Sequence, residues 1–151
     1  VLVDPVFCMA SPVSFINKPF KGTDVYHPED MPDIDYLVIS HDHWDHLDYH
    51  TVRALKDHIG KVICGLGVGE HFEYWGFDKE RIVELDWEEE VRLDSGFVIA
   101  YLPAIFRDED FLPIKRCGLR FCLKLLPGRY IWRETVVTTR ILPGSGIVFR
   151  I

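Results

Sequence analysis

The stretch YLVISHDHWDHLDYHT, residues 36–51, places three histidines and two aspartates in positions 41–46, directly after a short apolar run. YLVIS (36–40) has the continuous apolar character of a strand buried on both faces, as in α/β folds. The segment DYHTVRALKDHIG (48–60) then reads as a helix, because Val52, Leu55 and Ile59 recur at helical spacing. Asp48 is a natural cap for its start, and Gly60 is the expected stop. The cluster therefore lies just beyond the carboxyl end of a buried strand, where open α/β sheets place their chemistry.

In extended backbone, residues two apart point the same way, so His41 and His43 can face one metal ion. Asp45 and His46 follow on a tight turn and can serve a second ion. Imidazole nitrogen and carboxylate oxygen suit Zn²⁺, with Fe or Mn as alternatives. Two such ions, roughly 3.5–4 Å apart, can hold a bridging hydroxide as nucleophile and stabilise the leaving oxygen. A bland reading competes: any one of these histidines could be a surface residue beside a helix cap. The complete string HxHxDH after an apolar strand favours the metal site.

The rest of the chain supports an α/β architecture. VLVDPVF (1–7) reads as a buried strand ended by Pro5, and residues 11–35, with Pro12, Pro19, Pro28 and Pro32, as a long surface connection. KVICGLG (61–67) is a second buried strand with a glycine-rich exit, GEHFEYWGF (69–77) a helix and RIVELDW (81–87) a strand. EEEVRLDSGFVIAYLPA (88–104) is expected to form two strands turning at Asp94-Ser95-Gly96. Strands alternating with helices argue α/β, and there is no internal repeat.

At 151 residues, 48% apolar and with mean hydropathy near zero, the chain suits one soluble domain with a sizeable core. No apolar run approaches the roughly 18 residues of a membrane span, and no signal peptide is visible. The opening VLVDPVF lacks an initiating methionine, so a fragment or processed product is expected. Cys8, Cys64, Cys117 and Cys122 show no tight pairing pattern, which favours a reducing compartment and a cytoplasmic location. Net charge is −7, but unevenly spread: residues 1–104 carry 20 acidic against 8 basic side chains, and residues 105–151 carry 4 against 9.

The motif and its surroundings resemble the metallo-β-lactamase superfamily, whose HxHxDH signature is met by His41, His43, Asp45 and His46. VLVDPVF, ASPVSF, MPDIDYLVISHDHWDHLDY and IVELDW together look like the branch of N-acyl-phosphatidylethanolamine phospholipase D and bacterial lactonase-like hydrolases. The likeness covers roughly residues 1–104. It implies an αββα sandwich and a binuclear Zn²⁺ site, with His41 and His43 on one ion and Asp45 and His46 on the other. Asp4, in the VDP strand, would orient a ligand histidine; a plain strand-end turn before Pro5 is the competing reading. Asp45 would also act in catalysis, positioning the metal-bound hydroxide and taking its proton. His27, His50, His58 and His71 match no ligand position. His50 and His58 are expected on the helix surface, and His71 follows the glycine-rich strand exit within reach of the cleft. Trp44 fills a variable motif position, either as a pocket wall or in packing.

The family requires three further ligands downstream, a histidine, a bridging aspartate and a final histidine, yet no histidine follows His71. After AYLPA the chain reads IFRDEDF, where the third ligand belongs. Joining the last base of each codon to the first two of the next permits H-F-S-G-R-G across Ala104 to Asp110. The same offset permits N-K-T-L-W-A-S-F from Pro113 to Phe121 and Y-L-A-G-D-S-G-Y-D-T-H-F from Tyr130 to Leu142. These strings resemble the family's missing segments. Two domains are accordingly expected: an incomplete αββα metallo-β-lactamase sandwich over 1–104, and a basic, out-of-frame tail over 105–151 that was never selected to pack on it.

Two function classes follow. The first is a metal-dependent hydrolase acting on a phosphodiester or lactone through a metal-bound hydroxide, with a small molecule or phospholipid as substrate and peripheral membrane contact allowed. The second is a catalytically incompetent fragment with weak metal binding and no turnover. A third reading makes the basic tail a nucleic-acid or anionic-lipid module, with salt-sensitive binding. Its positives are scattered among Leu, Cys, Trp and Pro rather than gathered on a face, so no nucleic-acid partner is expected.

Overall fold

The alternating burial of strand residues organises the molecule into layers. Along strand β2 (Ile34–Ile39), Leu37 and Ile39 point to one core and Tyr36 and Val38 to another. That is the period of two expected of a strand covered on both faces. The computed structural model describes residues 1–7, 25–94, 96–107, 115–125 and 128–131. Most of the 11–35 connection, Ser95 of the expected turn and the tail from 132 onward lie outside the described residues.

Four parallel strands form the first sheet in the order β1 (Leu2–Val3), β2, β3 (Ile59–Gly65) and β4 (Ile82–Leu85). Leu2 pairs with Leu37 and Val3 with Val38, so the residues that follow, Asp4 and Ser40, leave the sheet near one another. Helices α1 (Tyr49–Leu55) and α2 (Gly69–Tyr74) cover one face of this sheet. Val52, Leu55 and Phe72 pack there with Leu37, Ile39, Val62 and Cys64. The opposite face meets a second, antiparallel sheet of β5 (Glu90–Arg92), β6 (Phe97–Arg107), β7 (Lys115–Leu125) and β8 (Gly128–Ile131). Between the sheets lie Val3, Tyr36, Val38, Ile63, Leu85, Leu93, Ile99 and Tyr101.

The architecture is thus an α/β sandwich of the incomplete αββα type. Among the described residues one outer helical layer is present and no helix covers the second sheet. Strand β6 runs unbroken through the expected domain boundary at 104/105. Among the described residues, no helix is long and apolar enough to cross a membrane.

Gly60 does not stop the helix. Helix α1 ends at Leu55, the chain tightens into a 3₁₀ turn over Lys56–His58, and Gly60 already belongs to β3. A Cβ at Gly60 would lie 2.7 Å from the Asp35 carbonyl oxygen, so glycine is required by the close approach of β2. The glycine-rich exit of β3 is held by Glu84 of β4, whose carboxylate accepts from the amides of Gly67 and Gly69, each at 2.8 Å.

Candidate metal centre

The site is built on the turn after β2. The amides of His46 and Leu47 both donate to the carbonyl of His43 at 2.8 Å, folding the HDHWDH string back on itself. Immediately afterwards Asp48 caps α1, accepting from the amides of His50 (3.2 Å) and Thr51 (3.3 Å) and from the Thr51 hydroxyl at 2.5 Å. Thr51 Oγ1 in turn accepts from the amide of Phe7 at 2.7 Å, tying the segment after β1 to the same helix start. The loop is therefore anchored at both ends.

Within it, His41, His43 and Asp45 present donor atoms that all lie within 4.8 Å of one another. His46 stands beside them, its ring centroid 4.1 Å from that of His41 and its Nε2 3.7 Å from Asp45 Oδ2. All four residues picked from the motif thus meet at one place. His41 is buried, His43 and His46 half-buried, and Asp45 exposed, so the cluster has a dry floor and an open mouth. Burial, followed by the neighbouring His46 and His43, lowers the pKa of His41 to about 4. The imidazole is therefore neutral at neutral pH, the form that ligates a metal. Two or three imidazoles with a carboxylate, one of them desolvated and neutral, fit a borderline divalent cation.

Asp4 reaches the cluster from the end of β1. Its Oδ2 lies 3.1 Å from His46 Nδ1 and accepts from Ser40 Oγ at 2.6 Å, while Oδ1 accepts from the Ser40 amide at 2.7 Å. Its backbone sits at φ 42°, a left-handed conformation that aspartate tolerates better than most residues. Asp4 is more than a turn former before Pro5.

Two further residues at the site were not singled out by the sequence motif. Ser40 lies between Asp4 and His41, with Oγ 2.9 Å from His41 Nδ1. Its adjacency to the motif was the one available hint. Tyr101 rises from β6 under the loop and bonds to the carbonyl of Ile39. Among the remaining histidines, His50 is exposed on α1, His58 pairs with Asp33 at 3.2 Å, and His71 stacks on Trp75. Trp44 is 47% exposed and so is not packed into the core.

Comparison with known proteins places this fold. A family model described as the Beta-lactamase superfamily domain matches residues 1–118. An uncharacterised protein of Mycobacterium tuberculosis is 40% identical over 106 residues, which covers 66% of this chain and 27% of that protein. The N-acyl-phosphatidylethanolamine-hydrolyzing phospholipase D 1 of Caenorhabditis elegans is 33% identical over 116 residues, 68% of this chain and 32% of the enzyme. The chain therefore spans about a third or less of these relatives' lengths. Among solved structures, a diiron β-hydroxylase from Streptomyces venezuelae superposes with a TM-score of 0.60 at 25% identity, covering 82% of this chain and 23% of that one. With the sandwich, the motif and the family model in agreement, the chain belongs to the metallo-β-lactamase superfamily.

Proposed function

We propose that this chain carries the metal-nucleating part of a binuclear hydrolase that cleaves a phosphodiester or a lactone. The observation that carries the reading is the convergence of His41, His43 and Asp45 within 4.8 Å, with His46 alongside, on a loop anchored to two strands and a helix. His41 and His43 would hold one Zn²⁺, and Asp45 and His46 the second. When bound, the metals supply Lewis-acid polarisation of the substrate oxygen and acidify the attacking water. The exposed Asp45 carboxylate would orient the attacking water and take up its proton, while Asp4 holds His46 in place. The likeness to a phospholipase supports a phosphodiester substrate and allows peripheral contact with a membrane; a cytoplasmic setting is part of the same proposal.

A second reading has its own support: no histidine follows His71, so the chain lacks the downstream histidine ligands that the family resemblance implies. On that reading it is an incompetent fragment with weak metal affinity. Its cause would be a shifted reading frame from about Ile105 onward, which also accounts for the charge reversal of the tail.

Metal content after dialysis, with turnover of a chromogenic phosphodiester and a chromogenic lactone, separates the two. Two retained ions and turnover support the hydrolase; loose metal without turnover supports the fragment. Sequencing the coding DNA across residues 103–151 tests the cause. An offset frame that spells the histidine and aspartate motifs supports it, and stops in that frame remove it.

A further inference from the structure

The hydroxyl of Ser40 lies where three groups of the site meet, and its proton can go to one of them. Asp4 Oδ2 is 2.6 Å away and His41 Nδ1 2.9 Å away. His46 Nδ1 stands at 3.5 Å, the limit of hydrogen-bond reach, and 3.1 Å from the same Asp4 oxygen. A serine hydroxyl has one proton and two lone pairs, whereas a carboxylate can only accept. At 2.6 Å from Asp4, a hydroxyl that turned its proton elsewhere would set lone pairs against lone pairs. The distance is that of a charge-assisted O–H···O⁻ bond, so the proton lies toward Asp4. The Ser40 oxygen then faces His41 as an acceptor, and the proton between them must sit on His41 Nδ1. The same reasoning applies to His46, whose Nδ1 faces a carboxylate and must also carry its proton. In both rings the lone pair is left on Nε2.

We propose that Ser40 is a positioning residue: its hydroxyl relays the charge of Asp4 to His41 and sets that ring in the Nδ1–H tautomer, so that Nε2 is the nitrogen offered to a metal. Asp4 sets His46 directly, and Ser40 extends the same carboxylate's control to a second imidazole. The arrangement is prepared before any metal arrives, because Asp4 directly follows β1 and Ser40 directly follows β2, and the two strands pair. The Ser40 amide, donating to Asp4 Oδ1 at 2.7 Å, fixes the carboxylate so that Oδ2 points at the hydroxyl. The tautomer assignment stands on hydrogen bonding in the metal-free chain; its consequence for metal affinity rests on the metal-centre reading proposed above.

The test is long-range ¹H–¹⁵N NMR of the histidine rings in the metal-free full chain, at mildly alkaline pH, for the native protein and for Ser40→Ala, Ser40→Thr and Asp4→Asn. The native rings of His41 and His46 are expected in the Nδ1–H form. Ser40→Ala should release His41 into a mixture of tautomers and leave His46 unchanged. Ser40→Thr, which keeps the hydroxyl, should restore His41, and Asp4→Asn should disturb both rings. Zinc affinity, read by competition with a chromophoric chelator, should fall about 10- to 100-fold in Ser40→Ala and recover in Ser40→Thr. A native His41 in the Nε2–H form overturns the proposal without recourse to any variant. So does an unchanged His41 tautomer in a folded Ser40→Ala protein. Should the native chain show the expected tautomers yet bind no zinc, the metal-centre reading fails and the positioning role of Ser40 stands.

Discussion

The phenolic oxygen of Tyr101, on β6, lies 2.5 Å from the carbonyl oxygen of Ile39 and 3.3 Å from that of Ile63. One buried side chain of the second sheet thereby ties the carboxyl ends of two central strands of the first. Ile39 stands directly before Ser40 and His41, so this tie anchors the strand end from which the candidate metal loop departs. Burial drives the Tyr101 pKa well above its ordinary range, which keeps the hydroxyl protonated as the donor. Tyr101→Phe keeps the ring and removes that donor from a dry interface. The expected cost is about 1–3 kcal/mol of stability, read from urea unfolding monitored by circular dichroism. An unchanged midpoint would show that the hydroxyl contributes nothing net to joining the sheets.

His43→Ala tests the metal centre with little risk to the fold. The turn is held by the backbone carbonyl of His43, which survives the substitution, and its side chain is half-buried. Zinc binding by isothermal titration should weaken by at least about tenfold while far-UV circular dichroism stays native. Equal affinity in the variant would remove His43 from the ligand set.

Asp48→Ala should destabilise the chain by about 1–2 kcal/mol, the usual cost of losing a helix cap. The buried Asp48 carboxylate also receives the Thr51 hydroxyl, which ties the helix start to Phe7. Asp48→Asn, which keeps an acceptor, should recover much of the loss. Denaturant midpoints of the two variants provide the comparison, and equal losses would mean that the charge rather than the cap matters.

Cys64 is a buried free thiol on β3, and burial, with the nearby Glu84 adding to it, pushes its pKa up from 9.0 to about 12. Peptide mapping after alkylation at neutral pH should find Cys64 unmodified in the native protein and modified in urea. The pH dependence has a definite sign. Above pH 9 the unfolded chain loses this proton while the folded chain keeps it, so the folded state holds more protons. Stability contributed by the buried thiol is thus constant below pH 9 and is lost as pH rises from 9 towards about 12. A Cys64→Ala variant should lose less stability than the native chain over that window, by urea unfolding at each pH.

Much of the molecule is local enough to be read from the chain alone. The apolar run ending at Ile39, the HxHxDH string and the capping role of Asp48 all depend on neighbours within a few positions. Spacing and residue type sufficed to place them on strand, loop and helix start. The hairpin-like pairing of β5 with β6 was legible for the same reason. Gly60 was misread because glycine serves two physical ends: it stops helices, and it admits a neighbouring backbone. Only the packed position of Asp35, whose carbonyl leaves no room for a Cβ, decides between them. Asp4 and Ser40 are 36 positions apart, and Ile39 and Tyr101 are 62 apart. No periodicity links such pairs. Their meeting depends on the parallel register of β1 with β2 and on the stacking of one sheet upon the other. The sequence alone singled out His41, His43, Asp45 and His46 as the candidate metal ligands. The tertiary structure decided how those residues are aimed, because hydrogen-bond direction depends on ångström-scale distances between distant segments, which only the packed sheets define.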